Sequence, residues 1–114
     1  LVRDFWATKG IDKAAINIMD GSGLSPQNRV TADALVKALQ FAKTAPWYTS
    51  FYESIPTYNG MKIKSGSIGG GRAFAGYHTS VQGKEYIVSI LVNNYTGSSG
   101  EVVKKMYKVL DALK

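Results

Sequence analysis

From Met61 to Asn93 the hydrophobic rhythm settles to a period of two, and this run limits the possible folds more than any other feature. Side-chain character that alternates every second residue marks extended backbone. Strands are predicted over about residues 61–67, 72–80 and 85–93. The glycine run Gly69-Gly70-Gly71 and Val81-Gln82-Gly83 join them, both short enough for antiparallel hairpins. The third segment, "EYIVSILVN", is apolar on both faces, with Tyr86, Val88, Ile90 and Val92 on one and Ile87 and Leu91 on the other. A strand dry on both sides needs cover above and below.

Helical segments are present to supply that cover. Thr31 stands where a cap belongs, ahead of an amphipathic helix running to about Lys43 with Leu35, Val36, Leu39 and Phe41 or Ala42 inward, and Pro46 stops it. "WYTSFYES" reads as a further short helix ended by Pro56. Ser98 and Glu101 have capping-box spacing, and Val103, Met106, Tyr107, Leu110 and Leu113 form one stripe behind them. "LVRDFWATKG" reads as a helix end with Gly10 in the stop position, "AAINIM" as a short strand, and "DGSGLSPQN" as turn chemistry. The predicted class is therefore α+β: an antiparallel sheet of at least three strands flanked by helices, one piece over residues 1–114 without repeat or linker. These helices offer limited cover, so an exposed apolar patch or self-association of the chain is expected.

Composition narrows the function classes. A chain of 114 residues makes at most one small domain, and its 45% hydrophobic content is globular. No segment approaches the ~18 consecutive apolar residues of a membrane span. There is no cysteine, hence no disulfide framework and no thiolate metal site. The opening Leu-Val-Arg, with no initiator methionine, leads us to expect a processed product or a fragment. The formal charge of +6 favours an anionic partner, but the basic residues are scattered. Lys62, Lys64 and Arg72 lie near the glycine run, while Lys104, Lys105, Lys108 and Lys114 lie on the last helix. A nucleic-acid surface needs a concentrated basic patch interleaved with aromatics, and none is visible, so no nucleic-acid partner is expected. His78 is the sole histidine, and Asp20, Asp33 and Glu53 lack ligand spacing, so neither a metal nor a cofactor is expected.

The densest chemistry lies in "MKIKSGSIGGGRAFAGY", Met61 to Tyr77. It is not a phosphate loop: Gly66 and Gly71 have the outer spacing of G-x-x-x-x-G, but Arg72-Ala73 follows where Lys-Ser or Lys-Thr is required. A glycine-rich turn accounts for Gly69 to Gly71. It leaves Lys64-Ser65-Gly66-Ser67 unexplained, where a cation, two hydroxyls and a glycine interrupt a strand. Lysine beside hydroxyl donors suits a carboxylate, and a strand glycine permits close approach of another backbone, although so short a motif also recurs without function. Ser22 in "DGSGL" does not satisfy G-x-S-x-G and reads as a turn residue, and His78 as an ordinary strand residue. Trp47, Tyr48, Phe51 and Tyr52 form an aromatic cluster suited to core packing, a cleft wall or a sugar surface.

"KSGS" on one strand and "AFAGY" on its partner resemble the Lys-Thr/Ser-Gly element of penicillin-binding proteins and serine β-lactamases. "MDGSGLSPQNRVTADALVKAL", Met19 to Leu39, resembles the D-G-S-G-L-S segment and following helix of the D-alanyl-D-alanine carboxypeptidase/endopeptidase family, the class C low-molecular-mass penicillin-binding proteins. The resemblance implies the C-terminal part of a β-lactamase/transpeptidase-like catalytic domain. It also implies serine acyl transfer on the D-Ala-D-Ala end of peptidoglycan stem peptides, inhibition of the complete protein by β-lactams, and an extracytoplasmic location. Lys64 and Ser65 would bind the substrate carboxylate, Gly66 would permit close approach, and the Ser67 N–H would be a catalytic oxyanion donor. Two family elements are missing: no serine here has lysine three residues on or asparagine two residues on. The chain alone is thus expected to be inactive, with S-x-x-K and S-x-N upstream in the parent. A non-catalytic module binding peptidoglycan or a protein partner is the alternative. The segment before "KSGS" is also shorter than the family's usual glycine-containing stretch.

Overall fold

The computed structural model describes all residues from Leu1 to Lys114. Its centre is a four-stranded antiparallel sheet of β3 (Thr57–Tyr58), β4 (Met61–Ile68), β5 (Gly71–Thr79) and β6 (Glu85–Asn93), in that order across the sheet. Ahead of it come α1 (Val2–Ala7), a 3-10 turn over Lys13–Ala15, a two-stranded ribbon of β1 (Ile16–Asn17) and β2 (Arg29–Val30), α2 (Ala32–Thr44) and α3 (Tyr48–Ser54). The chain closes with α4 (Ser99–Asp111). The class is α+β, as the patterning predicts.

Capping follows the sequence. Thr31 Oγ1 accepts from the Ala34 N–H at 3.1 Å and Ser98 Oγ from the Glu101 N–H at 3.2 Å, each satisfying an otherwise orphaned amide of a helix start. The two helices lie on opposite faces of the sheet. On one face Met61, Ile63, Phe74 and Val88 pack against Val102, Met106 and Leu110 of α4 in the main core. The predicted stripe is present but rotated slightly: Val102 is buried, whereas Val103, Tyr107 and Leu113 are half-buried. On the other face α2 lies over β5 and β6, and its far side carries a satellite cluster of Ile11, Ile16 and Ala34 with Trp6 and Val30 packed around it.

Three expectations need adjustment. The strand over "AAINIM" shrinks to Ile16–Asn17, because Asp12 caps the 3-10 turn before it and Asn28 Oδ1 takes the Met19 N–H after it. β5 starts at Gly71, since the turn needs only Gly69 and Gly70, the latter with φ +74°. β6 is not sealed on both faces: of its nine residues only Val88 is buried, because no strand lies beyond it.

The β4–β5 register pairs Ile63 with Gly76 and Lys62 with Tyr77. A Cβ at position 76 would lie 2.1 Å from the Lys62 carbonyl oxygen and 2.8 Å from Ile63 Cα. Gly76 therefore lets the two strands close. Tyr77 adds a cross-layer tie, its hydroxyl donating to the Leu39 carbonyl of α2 at 2.8 Å. Burial first, and the neighbouring Tyr48 second, push the Tyr77 phenol up to about 12 from 10.0.

Two outcomes follow. Gly76→Ala should lower unfolding free energy by about 3 kcal/mol or more, read by urea denaturation, because the clash is with backbone that cannot swing away. For Tyr77, the folded state holds the proton more tightly than the unfolded state. Its contribution is thus fully present below pH 10 and is lost between pH 10 and about 12. Tyr77→Phe should cost about 1 kcal/mol at neutral pH. It should also flatten the alkaline fall of stability relative to wild type, and an unchanged slope would count against the buried phenol.

Candidate active site

β4 is two strands in one. Met61 and Ile63 are shut from solvent, whereas Lys64 and Gly66 to Ile68 are exposed. The change comes where β3 ends. The Ile63 N–H points outward to the Pro56 carbonyl at 3.1 Å, and β3 pairs only with Met61 and Lys62. Strand alternation turns the N–H and C=O groups of Ser65 and Ser67 to that same outer side. There nothing in the chain covers them, so the sequence-singled stretch Lys64-Ser65-Gly66-Ser67 is a free edge.

Side chains alternate across this edge. Lys64 opposes Ala75 and shares its face with α2 and α3, while Ser65 opposes Phe74 and leaves on the α4 face. The ammonium and the hydroxyl thus converge only on a group lying in the plane of the sheet, along the edge itself. Without such a group Lys64 Nζ folds back and donates to the Ser65 carbonyl at 2.8 Å. At Gly66 an added Cβ would meet Ala73 Cβ at an ordinary 3.6 Å. Nothing inside the chain requires glycine at that position.

Two cavities flank the edge on the Lys64 face. The first, about 660 Å³, is apolar: Leu35, Leu39, Trp47, Phe51 and Ile55 line it, with Lys64 at one rim. Its aromatic wall is a chain of edge-to-face contacts from Trp6 through Phe41 and Trp47 to Phe51. This puts Trp47 and Phe51 in a cleft wall, while Tyr48 and Tyr52 turn away to pack on Tyr77. The second, about 480 Å³, is polar and is lined by Ser25, Asn28, Arg29, Ser67, Arg72 and Asn93 among others. Gly66 and Ala73 border both.

The segment from Asp20 to Asn28 forms one wall of the polar cavity through its own hydrogen bonds. Asp20 Oδ1 accepts from the Ser22 N–H and hydroxyl at 3.0 and 2.7 Å, and Asn28 Oδ1 accepts from the Met19 N–H at 2.7 Å. The Ser22 hydroxyl also accepts from the Leu24 N–H, so it serves the turn. Those donors, Ser22 first and Asn28 after, hold the Asp20 carboxyl below its usual range. His78 stands on the α4 face of β5, opposite the Lys64 face, and meets no serine. No three His, Asp or Glu side chains come together.

Sequence reasoning missed the wall beside Lys64. Asn59 and Gly60, with φ +54° and +71°, turn β3 onto β4 in a two-residue hairpin, and "NG" is a known signal for it. Lys62 then reaches under α3, donating to the carbonyls of Ile55 and Glu53 with its ammonium over the Tyr52 ring. The short segment that departs from the family pattern is thus a clamped hairpin.

The sequence pattern of the D-Ala-D-Ala carboxypeptidase 3 (S13) family matches residues 1–114, the whole chain. A D-alanyl-D-alanine carboxypeptidase of Actinomadura sp. (strain R39) is 33% identical over 109 aligned residues, covering 77% of this chain and 20% of that relative. The chain belongs to the D-Ala-D-Ala carboxypeptidase 3 (S13) family and spans about a fifth of the length of this curated relative.

The hairpin clamp can be checked directly. Lys62→Met keeps the stem but removes the donors, and should cost about 1.5–3 kcal/mol by denaturation, the usual worth of hydrogen bonds from a charged group. Amide exchange should quicken first in α3, and uniform loosening across the sheet would show that Lys62 is no local clamp.

Proposed function

We propose that this chain supplies one side of a serine acyl-transfer site acting on the D-Ala-D-Ala end of peptidoglycan stem peptides, as the C-terminal portion of a larger transpeptidase-like catalytic domain. The observation that carries this reading is the free edge of β4, bare from Lys64 onward and flanked by two cavities. A peptide lying antiparallel along that edge exchanges main-chain hydrogen bonds with Ser65 and Ser67. Its terminal carboxylate draws Lys64 Nζ off the Ser65 carbonyl and takes the Ser65 hydroxyl from the other face. The scissile carbonyl oxygen then lies against the outward Ser67 N–H, a donor worth roughly 3 kcal/mol to the developing oxyanion. Close approach of the peptide gives Gly66 the reason that the chain's interior does not.

The nucleophile and its base come from outside these 114 residues, because no S-x-x-K or S-x-N occurs among them. The apolar cavity beside Lys64 is the natural seat for the segment that carries them. β-Lactams acylate the complete protein, which works outside the cytoplasm where peptidoglycan is.

The test uses an N-acylated D-Ala-D-Ala peptide and its C-terminal amide, titrated into the chain by NMR. The free acid should shift the Ser65 and Ser67 amides. Lys64→Ala and the amide ligand should each weaken binding by about tenfold or more, the loss of a charge-assisted contact. Equal affinity for acid and amide would sink the carboxylate role. No β-lactam adduct should form on the isolated chain, by intact mass. If the complete parent also fails to acylate, the non-catalytic binding module is the better reading.

A further inference from the structure

The hairpin that joins β3 to β4 is held at two points. Lys62 fastens its base to carbonyls at the end of α3. Asn59 fastens its tip to the end of α4, with Nδ2 donating to Asp111 Oδ1 at 2.9 Å, and this is the only hydrogen bond between the hairpin and α4. Lys114 Nζ lies 3.0 Å from the same carboxylate oxygen, and Asn59 first, then Lys114, hold the Asp111 carboxyl below its usual range. The tip is also the chain's one Asn-Gly pair, since Asn17, Asn28, Asn93 and Asn94 are followed by isoleucine, arginine, asparagine and tyrosine. Asparagine is a thermolabile side chain, because the next residue's main-chain nitrogen can attack its amide carbon. Glycine at that next position hinders the attack least, having no Cβ. Gly60 is exposed, and its N–H donates to nothing in the chain. Asn94 shares the φ of +54° found at Asn59, but the bulky Tyr95 follows it.

We infer that Asn59 is a deamidation site whose conversion releases the β3 hairpin from α4. In the first step the Gly60 nitrogen bonds to Asn59 Cγ and the Cγ–Nδ2 bond breaks. Ammonia leaves, carrying the Gly60 amide proton, and a five-membered imide remains. Water then opens the imide at either carbonyl. Opening at Cγ leaves aspartate, opening at the main-chain carbonyl leaves isoaspartate, and neither needs an oxidant or reductant. In aspartate an acceptor-only carboxylate stands where Asp111 had a donor, so two like charges meet. Isoaspartate also adds one carbon to the main chain of a two-residue turn, and that turn sets the register of Thr57 and Tyr58 against Lys62 and Met61. β3 has only those two residues, so little else keeps it in the sheet. Its loss uncovers the Met61 main chain and the Ile63 N–H, and the free edge of β4 grows backward from Ser65. The bond to Asp111 restrains the Asn59 amide and so slows the first step. None of this depends on the function proposed for Lys64.

The test ages the folded chain in mildly alkaline buffer and maps it by peptide mass spectrometry, with fragmentation that separates aspartate from isoaspartate. Acid at residue 59 should accumulate ahead of every other asparagine, and several-fold faster in Asp111→Ala. Amide exchange at Met61 and Ile63 should quicken in the converted protein and in Asn59→Asp, while Phe74 and Val88 in the core stay slow. Should the aspartate variant fail to fold, exchange on the aged wild type still decides. A folded chain that keeps Asn59 intact while the unfolded chain converts it overturns the inference. So does an Asn59→Asp chain whose Met61 and Ile63 amides exchange at the wild-type rate. An unchanged rate in Asp111→Ala overturns the restraint assigned to the α4 contact.

Discussion

The anchoring of β4 at one end is what the rest of the molecule depends on. Met61 and Ile63 are sunk into the core beneath α4, and Gly76 lets β5 close against them. The next residues along the same rigid strand are the ones to which the proposed function assigns a ligand. A site on a strand is held more firmly than one on a loop, because each residue's orientation is set by the ladder behind it. Burial of two side chains thus fixes the direction of Lys64 and of the outward amides at Ser65 and Ser67.

Much of this was legible because hydrophobic periodicity and capping are local signals. The period-two run gave the three long strands to within a residue, and Thr31 and Ser98 mark helix starts that the structure keeps. What was not legible depends on contacts between distant segments. The strand at Ile16–Asn17 is short because Asn28, eleven residues beyond Asn17, competes for backbone donors near it. The clamp by Lys62 uses carbonyls at the end of α3, freed only because Pro56 stops that helix where it does. The Asn59-Gly60 turn is different, since its signal was present in the letters and went unused.

Alternation also decides how a ligand must lie. Lys64 and Ser65 point to opposite faces, so neither cavity alone brings ammonium and hydroxyl together. A globular anion sitting in the apolar cavity, which Lys64 and Ser65 both border, meets the ammonium but not the Ser65 hydroxyl on the opposite face. An extended chain at the edge reaches Lys64, the Ser65 hydroxyl and the outward amides at once. That geometry is why the function proposed for this edge takes an extended peptide with a terminal carboxylate.

The two edges of the sheet differ in sequence character. On β4 a charge sits in the free stretch, Gly66 interrupts it, and Lys64 covers the Ser65 carbonyl. Such an edge resists casual strand pairing, and under the proposed function a carboxylate would displace the lysine. On β6 nothing stands guard, and the side chains on both faces ask for more apolar cover than α2 and α4 give.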